Sequence, residues 1–472
     1  MRVMSGPAIA ALSLLLLPAL ASAQDVAVKK YDSGGVYEGE FRDGRQHGFG
    51  TFTLPGGYEY TGQWVEGRIE GDGRVRYENG SVYEGTFKDG APHGKGKIVY
   101  SDGGSYEGDW VGGVIEGTGV AVYADGARYE GQFLQSAHHG TGVMTRPNGY
   151  RYEGEWAEGA PHGTGTVTYS DGSVYKGAFI AGVREGMGEI EMPDGFTYVG
   201  EWKGGQISGT GRARYANGDV YEGAFLDGER QGEGRAEYAN GDVYVGSFVG
   251  GRRQGAGVLT AANGDVYEGQ WVEGQFEGEG VARLADGRVL KGVFKDNALA
   301  GPGEMTTTDG GGYTGEWAGG VIEGRGVFRY ASGAVYEGEF RAGRIAGAGK
   351  IVYPDGYQYE GEWKDDMPHG RGVARFPDGG VYEGAFVEGR REGQGVFTQP
   401  DGFRYEGEWV ADRIEGTGVA TYANGDVYKG AFKDNRRHGP GRMEFASGSV
   451  FDGDWVNGQR GAPAQPAAQT GD

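Results

Sequence analysis

A strict 23-residue period is the feature of this sequence that most constrains its fold. The pattern Tyr-x-Gly-x-Phe/Trp begins at Tyr37 and returns at every twenty-third residue as far as Phe451, with no insertion or deletion. That spacing gives 19 copies, in which only Leu290 and Phe451 replace the leading tyrosine. A chain that repeats one short unit packs each unit against its neighbours, so we expect an array of one supersecondary element. We number each repeat from its leading residue, which is position 1.

Glycine determines which element can form. The chain holds 101 glycines in 472 residues, and an all-α fold is excluded because each glycine costs a helix about 1 kcal/mol relative to alanine. Collagen is excluded because glycine does not recur at every third residue. Disorder is disfavoured, since 30 Tyr, 20 Phe and 9 Trp supply a large aromatic surface for burial. Glycine occupies position 3 in all 19 copies and positions 12 and 14 in the first 18.

Each repeat contains two runs with period-two character, at positions 1–5 and about 13–18, which we interpret as strands. The motif x-Asp/Asn-Gly follows at positions 19–21. Position 19 is proline in six copies, and proline cannot donate a ladder hydrogen bond, so a three-residue loop is favoured over a two-residue turn. This loop pairs position 18 with 22, and position 16 with the next position 1. The sequence therefore predicts an all-β fold: a single elongated antiparallel sheet, a solenoid-like β-ribbon of about 19 tandem 23-residue β-hairpins.

That register gives the sheet two unlike faces. Positions 1, 3, 5, 12, 14, 16 and 18 are predicted to share one face, which combines tyrosine at 1 and Phe or Trp at 5 with glycines between the rings. Such glycines let the rings lie flat over the backbone within a single layer. The other face carries mostly glutamate at positions 2 and 4, opposite Arg, Lys, Thr or Val at 15 and 17. We expect it to be solvated, with modest cross-strand pairing.

The ends of the chain depart from the repeat. Arg2, the apolar residues 8–20 and the Ala-Ser-Ala site at 21–23 predict a signal peptide, residues 1–23, that is cleaved after Ala23. An uncleaved membrane anchor is the alternative. We divide the rest into an N-terminal lead-in (24–33), the repeat array with a truncated last copy (34–461) and a disordered Pro/Ala-rich tail (462–472). A cleavable signal peptide predicts an exported protein, periplasmic or extracellular.

The motif Tyr-Glu-Gly-x-Trp-x-x-Gly-x-x-His-Gly-x-Gly, as it stands at 152–165, resembles the MORN repeat (membrane occupation and recognition nexus). The resemblance covers residues 34–461, although the histidine of the motif is often Glu, Gln, Ala or Ser here, and the copy led by Leu290 is the weakest. It implies a ribbon of β-hairpins that acts as a scaffold or attachment module. Some family members are linked to membranes and phosphoinositides, and others resemble protein–protein or dimerisation platforms. The repeat itself is implied to carry no catalytic role.

No motif in the sequence indicates catalysis or the binding of a metal or cofactor. The absence of cysteine excludes thiol chemistry and disulfides. Six of the seven histidines occupy position 11, where equivalent residues lie about 9.6 Å apart, too far to share a zinc ion, so we interpret them as loop residues. Residues 310–315 match the dinucleotide pattern G-x-G-x-x-G, but no helix follows. The Asn-Gly-Asp turns offer too few oxygens for calcium. We predict no metal and no cofactor, and an enzyme would need a cluster that breaks the repeat.

Charge argues against nucleic acid as a partner. The chain carries 45 basic and 67 acidic residues, a net charge of −22, which repels nucleic acid and anionic lipid in bulk. Three arginine pairs near the bends at positions 8–10 are candidates for phosphate contact, but they are few and far apart. We interpret them as solvated loops: Arg252 and Arg253, Arg390 and Arg391, Arg436 and Arg437.

These observations favour a non-enzymatic exported scaffold that binds a protein partner, or a second copy of itself, through the extended aromatic–glycine face or the open sheet ends. The alternative is a module for envelope polymers, in which aromatic rings stack on glycans or basic bends touch lipid headgroups. Packing within the sheet is the alternative role for the candidate binding residues. Those candidates lie on the predicted aromatic face: Trp110, Trp156, Trp202, Trp271, Trp317, Trp363, Tyr152, Tyr198, Tyr267 and Tyr359.

Overall fold

The computed structural model describes residues 26–461, which form 39 β-strands and no helix. The predicted signal peptide and the predicted disordered tail lie outside the described residues. No helix capable of crossing a membrane occurs in the range 26–461. The chain divides into two compact units, Met1–Gly209 and Thr210–Asp472.

The strands of the first unit alternate between seven and nine residues after a short first strand. They are β1 (Val26–Lys30), β2 (Val36–Arg42), β3 (Arg45–Thr53), β4 (Glu59–Val65), β5 (Arg68–Arg76), β6 (Val82–Lys88), β7 (Ala91–Val99), β8 (Ser105–Val111), β9 (Val114–Val122), β10 (Arg128–Leu134), β11 (Ala137–Thr145), β12 (Arg151–Ala157), β13 (Ala160–Thr168), β14 (Val174–Ile180), β15 (Val183–Glu191) and β16 (Thr197–Lys203).

Strand β17 (Gln206–Arg214) includes the division between the units, and the second unit continues the same alternation. Its strands are β18 (Val220–Leu226), β19 (Glu229–Glu237), β20 (Val243–Val249), β21 (Arg252–Thr260), β22 (Val266–Val272), β23 (Gln275–Arg283), β24 (Val289–Lys295), β25 (Ala298–Thr306), β26 (Gly312–Ala318), β27 (Val321–Arg329), β28 (Val335–Arg341), β29 (Arg344–Val352), β30 (Gln358–Lys364), β31 (Met367–Arg375), β32 (Val381–Val387), β33 (Arg390–Thr398), β34 (Arg404–Val410), β35 (Arg413–Thr421), β36 (Val427–Lys433), β37 (Arg436–Glu444), β38 (Val450–Val456) and β39 (Gln459–Arg460).

Sequence neighbours are sheet neighbours. In the first unit each strand from β1 to β16 pairs antiparallel with the next. The same holds from β18 to β39 in the second unit. The predicted fold class, an all-β antiparallel sheet made of tandem hairpins, is confirmed.

The predicted three-residue loop between repeats is also confirmed. Leu54 at position 18 donates its N–H to the carbonyl of Tyr58 at position 22 (2.9 Å), and Gly57 donates to Leu54 (3.1 Å). Phe52 at position 16 lies opposite Tyr60, the next position 1. Proline at position 19 therefore lies outside the ladder, which explains why six repeats accept it.

A two-residue turn at positions 7 and 8 joins the two strands of each repeat. Asp43 and Gly44 have φ values of 51° and 74°, which is the geometry of a type I′ turn. Where position 8 is not glycine, its side chain accepts the N–H of position 10 in the preceding repeat, so the strained turn is anchored to its neighbour. This occurs at Ser136, Asn297, Asp366, Asp412 and Asn435.

A bulge at positions 11–13 changes which residues share a face. In the first hairpin Phe41 lies opposite Gln46 and Gly39 opposite Gly50, so three residues of β3 face the single residue Glu40. Gly48 at position 12 has a φ of 63°, and a side chain built there would overlap the carboxylate of Glu40. Position 12 therefore points away from the aromatic face, contrary to the prediction, and position 10 takes its place.

The segment predicted as a lead-in, residues 24–33, contributes to the array. Ala27 of β1 lies opposite Gly39, and Lys29 lies opposite Tyr37, which is the register of positions 14 and 16 in every later repeat. Tyr31 and Gly35 close the loop that follows, with an N–H to carbonyl distance of 2.8 Å. The array therefore begins within residues 24–33, with the second half of one further repeat.

Candidate interaction surface

Each leading tyrosine fills the space that two glycines leave. The ring of Tyr37 lies over Gly39 and Gly50, and a β-carbon added to Gly39 would stand 2.6 Å from the tyrosine Oη. The hydroxyl donates to the carbonyl of Glu40 (3.0 Å), and burial raises the tyrosine pKa to about 12. The prediction that these rings lie flat over glycine backbone is confirmed.

The rings of successive repeats touch edge to face. The ring of Tyr60 lies 5.4 Å from Trp64 in its own repeat and 5.1 Å from Phe87 in the next, with interplanar angles of 82° and 84°. Pairs of this geometry stabilise beyond the area they bury. Trp110 Nε1 donates to the carbonyl of Gly96 in the preceding repeat (3.2 Å). The aromatic face is thus the continuous core of each unit.

The ten side chains predicted as binding residues belong to this core. None is more than 7% exposed, so the expectation that they form an accessible aromatic surface is corrected. The tyrosine rings fill their glycine slots, and the tryptophan rings pack edge to face against the leading tyrosines. The packing role therefore describes their position in the structure. The corrected residues are Trp110, Trp156, Trp202, Trp271, Trp317, Trp363, Tyr152, Tyr198, Tyr267 and Tyr359.

Position 10 supplies part of that cover. The guanidinium carbon of Arg253 lies 4.3 Å from the ring centre of Trp271, and its Nη2 donates to the carbonyl of Gly274 (2.8 Å). Its neighbour Arg252 is exposed and pairs with Glu273 (2.7 Å). The interpretation of the arginine pairs as solvated is therefore wrong for the second member of each pair. The same stacking and carbonyl bond occur at Arg184, Arg230, Arg391 and Arg437.

His138 is the histidine that occupies position 10. Its ring stacks on Tyr129 with a centroid distance of 3.8 Å, and its Nε2 lies 2.6 Å from the hydroxyl of Tyr123. Burial lowers the pKa of His138 to about 4. His93 at position 11 instead accepts the N–H of Gly112 in the next turn (3.4 Å). Within residues 26–461 no three His, Asp or Glu side chains come together as metal ligands.

The opposite face forms a groove that follows the repeats. In the first unit this open groove has a volume of about 1190 Å³, with paired glycines such as Gly96 and Gly108 as its floor and Glu84 and Lys97 among its walls. In the second unit the equivalent groove encloses about 1670 Å³. The predicted cross-strand ion pairs are present, for example Lys97 with Glu107 at 3.1 Å, and both side chains are exposed.

Positions 2 and 4 of this groove have different roles. Glu155 at position 4 accepts the backbone N–H of Thr164 (3.0 Å) and its hydroxyl (2.7 Å), which satisfies the bulge and lowers the pKa of Glu155. Glu153 at position 2 instead contacts Arg151 on its own strand (2.6 Å). Glu153 and Glu107 at position 2 therefore make exposed ion pairs rather than bonds to the bulge.

The accessible rings lie elsewhere than predicted. Tyr100, Tyr123 and Tyr353 at position 18, beside the interrepeat loop, are 38%, 40% and 39% exposed. Aliphatic side chains at position 6, such as Val111 and Ile180, are also exposed. Phe49 at position 13, which lines the groove of the first unit, is 56% exposed. Any stacking on an external ligand therefore falls to Phe49 or to the position 18 tyrosines, since most rings at positions 1 and 5 are buried.

A shared core, uniform hairpins and a groove repeated along the sheet define the chain as a β-hairpin repeat scaffold. The family model of the MORN repeat matches 18 segments of it, and the chain belongs to the MORN repeat family. The copy led by Leu290 falls in the gap between matches. The matched residues are 37–57, 60–82, 83–105, 106–128, 129–149, 152–174, 175–197, 198–220, 221–243, 244–266, 267–287, 313–335, 336–356, 359–381, 382–404, 405–427, 428–450 and 451–461.

Similarity to solved structures is weak. The TCP domain of SAS-4 (dCPAP) from Drosophila melanogaster, in complex with a proline-rich motif of Ana2 (dSTIL), shares 16% identity over 36% of this chain and 86% of that chain, with a TM-score of 0.22. The TCP10 domain of Danio rerio CPAP, in complex with a STIL peptide, shares 15% identity over 60% and 94%, with a TM-score of 0.16. Scores this low support no argument about this chain. The search of curated proteins found no match.

Proposed function

We propose that this chain is a non-enzymatic, exported scaffold that binds an extended, positively charged segment of a partner protein in its glycine-floored groove. The observation that carries the proposal is the regular wall of the groove in the second unit. Glu360, Glu383 and Glu406 at position 2 alternate there with Val373 and Val396 at position 15. We call these five residues the acidic row.

The spacing of the acidic row suits one kind of segment. Equivalent positions lie two strands apart, about 9.6 Å. A polyproline II segment advances about 9.3 Å in three residues. A segment with Lys or Arg at every third residue and proline between them would place one cation against each glutamate. Its proline rings would then lie against the valines of the acidic row.

The groove has mixed charge, because basic side chains line it beside the glutamates: Arg325, Lys350, Arg371 and Arg375. The ion pairs of the acidic row are nevertheless open to exchange. Glu360 lies 3.8 Å from Lys350, and Glu406 lies 2.6 Å from Arg404. Both pairs are exposed and contribute little to stability, so a ligand cation can replace the partner. The net charge of −22 also favours encounter with a basic partner over nucleic acid.

A labelled (Lys-Pro-Pro)5 peptide tests the groove by fluorescence anisotropy with the chain from residue 24 to 472. We expect binding that the triple variant Glu360→Lys/Glu383→Lys/Glu406→Lys weakens at least about tenfold, since each lost ion pair of a bound ligand contributes a fraction of a kcal/mol or more. The control Glu66→Lys/Glu158→Lys/Glu388→Lys makes the same charge change at exposed turns and should keep most of the binding.

Equal weakening in both variants would show that only net charge matters and would overturn the groove as a site. No peptide binding, together with retention on glycan or on anionic vesicles, would favour the envelope-polymer alternative. Ionic strength distinguishes lipid binding from glycan binding in that alternative. The contact of arginine with lipid headgroups weakens as ionic strength rises, whereas ring stacking on glycan does not.

Export is tested independently of the groove. The charged start, apolar run and Ala-Ser-Ala site of residues 1–23 support cleavage after Ala23. Mass spectrometry of the protein from its native host should find Gln24 as the first residue and should find the protein outside the cytoplasm. An intact N-terminus on a cytoplasmic protein would contradict this part of the proposal.

A further inference from the structure

The described array begins in the second half of a repeat and ends in the first half of one. Strand β1 occupies positions 13–17 of a repeat, as its register with β2 shows. Strand β38 occupies the residue before position 1 to position 6 of the last repeat, and β39 reaches only positions 9 and 10. Within residues 26–461, the first four residues of β38 therefore pair with β37 alone, since the carbonyl of Asp454 accepts the N–H of Gly461 (2.7 Å). In a complete repeat, the half that follows such a strand has the register of β1.

We propose that β1 of one copy pairs with β38 of a second copy and completes its last repeat, so that chains join head to tail. In a complete repeat, position 2 lies opposite 15 and position 3 opposite 14. The joined repeat would place Asp452 opposite Val28 and Gly453 opposite Ala27. Exposed strand edges recruit such partners through main-chain hydrogen bonds. This inference concerns the ends of the array and does not depend on the groove.

Two departures from the repeat would meet at this joint. Position 14 is glycine in every described repeat except at Ala27, and a β-carbon at Gly96 would overlap the hydroxyl of Tyr83, the ring of its own repeat. The ring that would lie over Ala27 belongs to Phe451, which has no hydroxyl. A β-carbon built on Gly453 stands 3.1 Å from the nearest atom of that ring. The added methyl would thus face a ring without the hydroxyl, which is the nearest of the overlapping atoms. Ring carbons of Tyr83 also lie within 2.5 Å of the β-carbon built on Gly96, so the Phe451 ring has to shift at the joint as well.

Charge at the two ends is complementary in the same register. Positions 2 and 17 form ion pairs within complete repeats, Glu268 with Arg283 at 3.7 Å and Lys429 with Glu444 at 3.6 Å. In the joined repeat these positions are Asp452 of one copy and Lys30 of the other. Both residues are exposed in the single chain, so each is free to reach its counterpart.

Arg460 adds a third contact. It occupies position 10, where interior arginines stack on the position 5 ring of the following repeat, as Arg437 does on Trp455 at 4.1 Å. In the single chain Arg460 stacks on Phe451 and Phe445 instead, at 4.8 and 5.0 Å. A second copy would present Phe41 at the following position 5. Head-to-tail contacts of this kind are heterologous and produce open chains or closed rings of copies.

Cysteine trapping tests the register, because the chain contains no cysteine. The double variant Val28→Cys/Asp452→Cys places two thiols at facing positions of the proposed joint. Under mild oxidation we expect a ladder of disulfide-linked oligomers on a non-reducing gel. Each single variant can give at most a dimer. The control Val26→Cys/Asp452→Cys shifts the thiols out of register by two residues and should give no ladder.

A charge exchange tests the joint without covalent trapping. Sedimentation velocity over a range of concentrations should show self-association of the unmodified chain. Asp452→Lys should weaken that association about tenfold, as expected for replacing attraction by repulsion between two partly exposed charges. The double variant Asp452→Lys/Lys30→Asp should restore it. Circular dichroism of the variants confirms that the sheet still folds.

Three results would overturn the inference. They are a monomer at every concentration with no ladder, an equal ladder from the out-of-register control, and a disulfide formed within a single chain. Peptide binding in the groove is measured separately, so failure at the ends leaves the proposed function standing, and the reverse also holds.

Discussion

Glycine and tyrosine act as a single unit in this protein, because the ring at position 1 occupies the volume that side chains at positions 3 and 14 would need. Tyr83, Gly85 and Gly96 illustrate this arrangement. The pairing was predictable from sequence, since large rings and glycines alternate on one face of both strands. Its consequence is that a single methyl group in the slot is poorly tolerated.

Gly96→Ala should destabilise its repeat by about 2 kcal/mol, because the added methyl forces the Tyr83 ring out of its slot. Hydrogen exchange of β6 and β7 measures the loss. Gly96→Ala/Tyr83→Phe should recover part of it by removing the nearest overlapping atom. Lys88→Ala, an exposed change on the same hairpin, serves as the control. Unchanged exchange in Gly96→Ala would contradict the close approach of ring and glycine.

His138 makes the stability of its repeat depend on pH. Burial lowers its pKa from 6.5 to about 4, so between these values the unfolded chain takes up a proton that the folded chain does not. The contribution of neutral His138 to the free energy of unfolding is therefore fully present above about pH 6.5 and decreases as the pH falls toward 4. Below pH 4 this group causes no further decrease. Because the His138 ring is partly exposed, we expect the free energy of unfolding of this repeat to decrease by only about 1–2 kcal/mol.

Hydrogen exchange of β10 and β11 at a series of pH values measures this dependence. His138→Ile, which installs a residue that other repeats carry at position 10, should abolish the local decline. NMR titration of His138 offers an independent reading. A midpoint near 6.5 would show that the ring is not buried against Tyr129.

At the scale of the single hairpin, the bulge is the feature that sequence reasoning missed. Glycines at positions 12 and 14 alternate as they would in a regular strand, so no interruption of the period marks positions 11–13. The bulge moves position 10 onto the aromatic face, where the residues look too mixed for a core position: Ile69, Pro92, His138, Arg253. A weak signal existed, because Arg184, Arg253 and Arg391 each precede a repeat with tryptophan at position 5.

The stacked arginines should contribute to stability where their exposed neighbours do not. Arg253→Ala removes the contact with Trp271 and the bond to Gly274, and we expect a loss of about 1–2 kcal/mol. Arg252→Ala removes an exposed ion pair and should change stability by less than about 0.5 kcal/mol. Urea unfolding followed by tryptophan fluorescence compares them. Equal effects of the two substitutions on stability would show that Arg253 is as solvated as Arg252.

Across the whole molecule, stability is set by contacts between adjacent repeats, so an irregular repeat weakens the array locally. The copy led by Leu290 is such a place. It lacks the tyrosine that bridges Gly292 and Gly303, and Trp317 Nε1 in the following repeat is buried with no hydrogen-bond partner within the described residues. The sequence already marked this copy as the weakest, and the structure supplies the physical reason.

The side chain of Leu299 fills the place of the missing ring against Gly292 and Gly303. Leu290→Tyr should displace Leu299 onto the new ring, as Phe276 lies on Tyr267, and stabilise this repeat by about 1 kcal/mol. Hydrogen exchange by mass spectrometry should show residues 288–312 as the fastest-exchanging interior strands, and slower exchange in the variant. Lys295→Ala, an exposed change on the same hairpin, is the control. Slow exchange there in the unmodified chain would contradict this account.

The indole hydrogen bonds between repeats make tryptophan fluorescence a local probe of the contacts between neighbouring repeats. Trp64, Trp110 and the other bonded indoles donate to a carbonyl of the preceding repeat, so each emission spectrum reports on one boundary. When a boundary opens, water replaces the carbonyl and the emission shifts to longer wavelength. A chain that retains one tryptophan at a time would therefore show where along its length a load, a denaturant or a bound partner first separates two units.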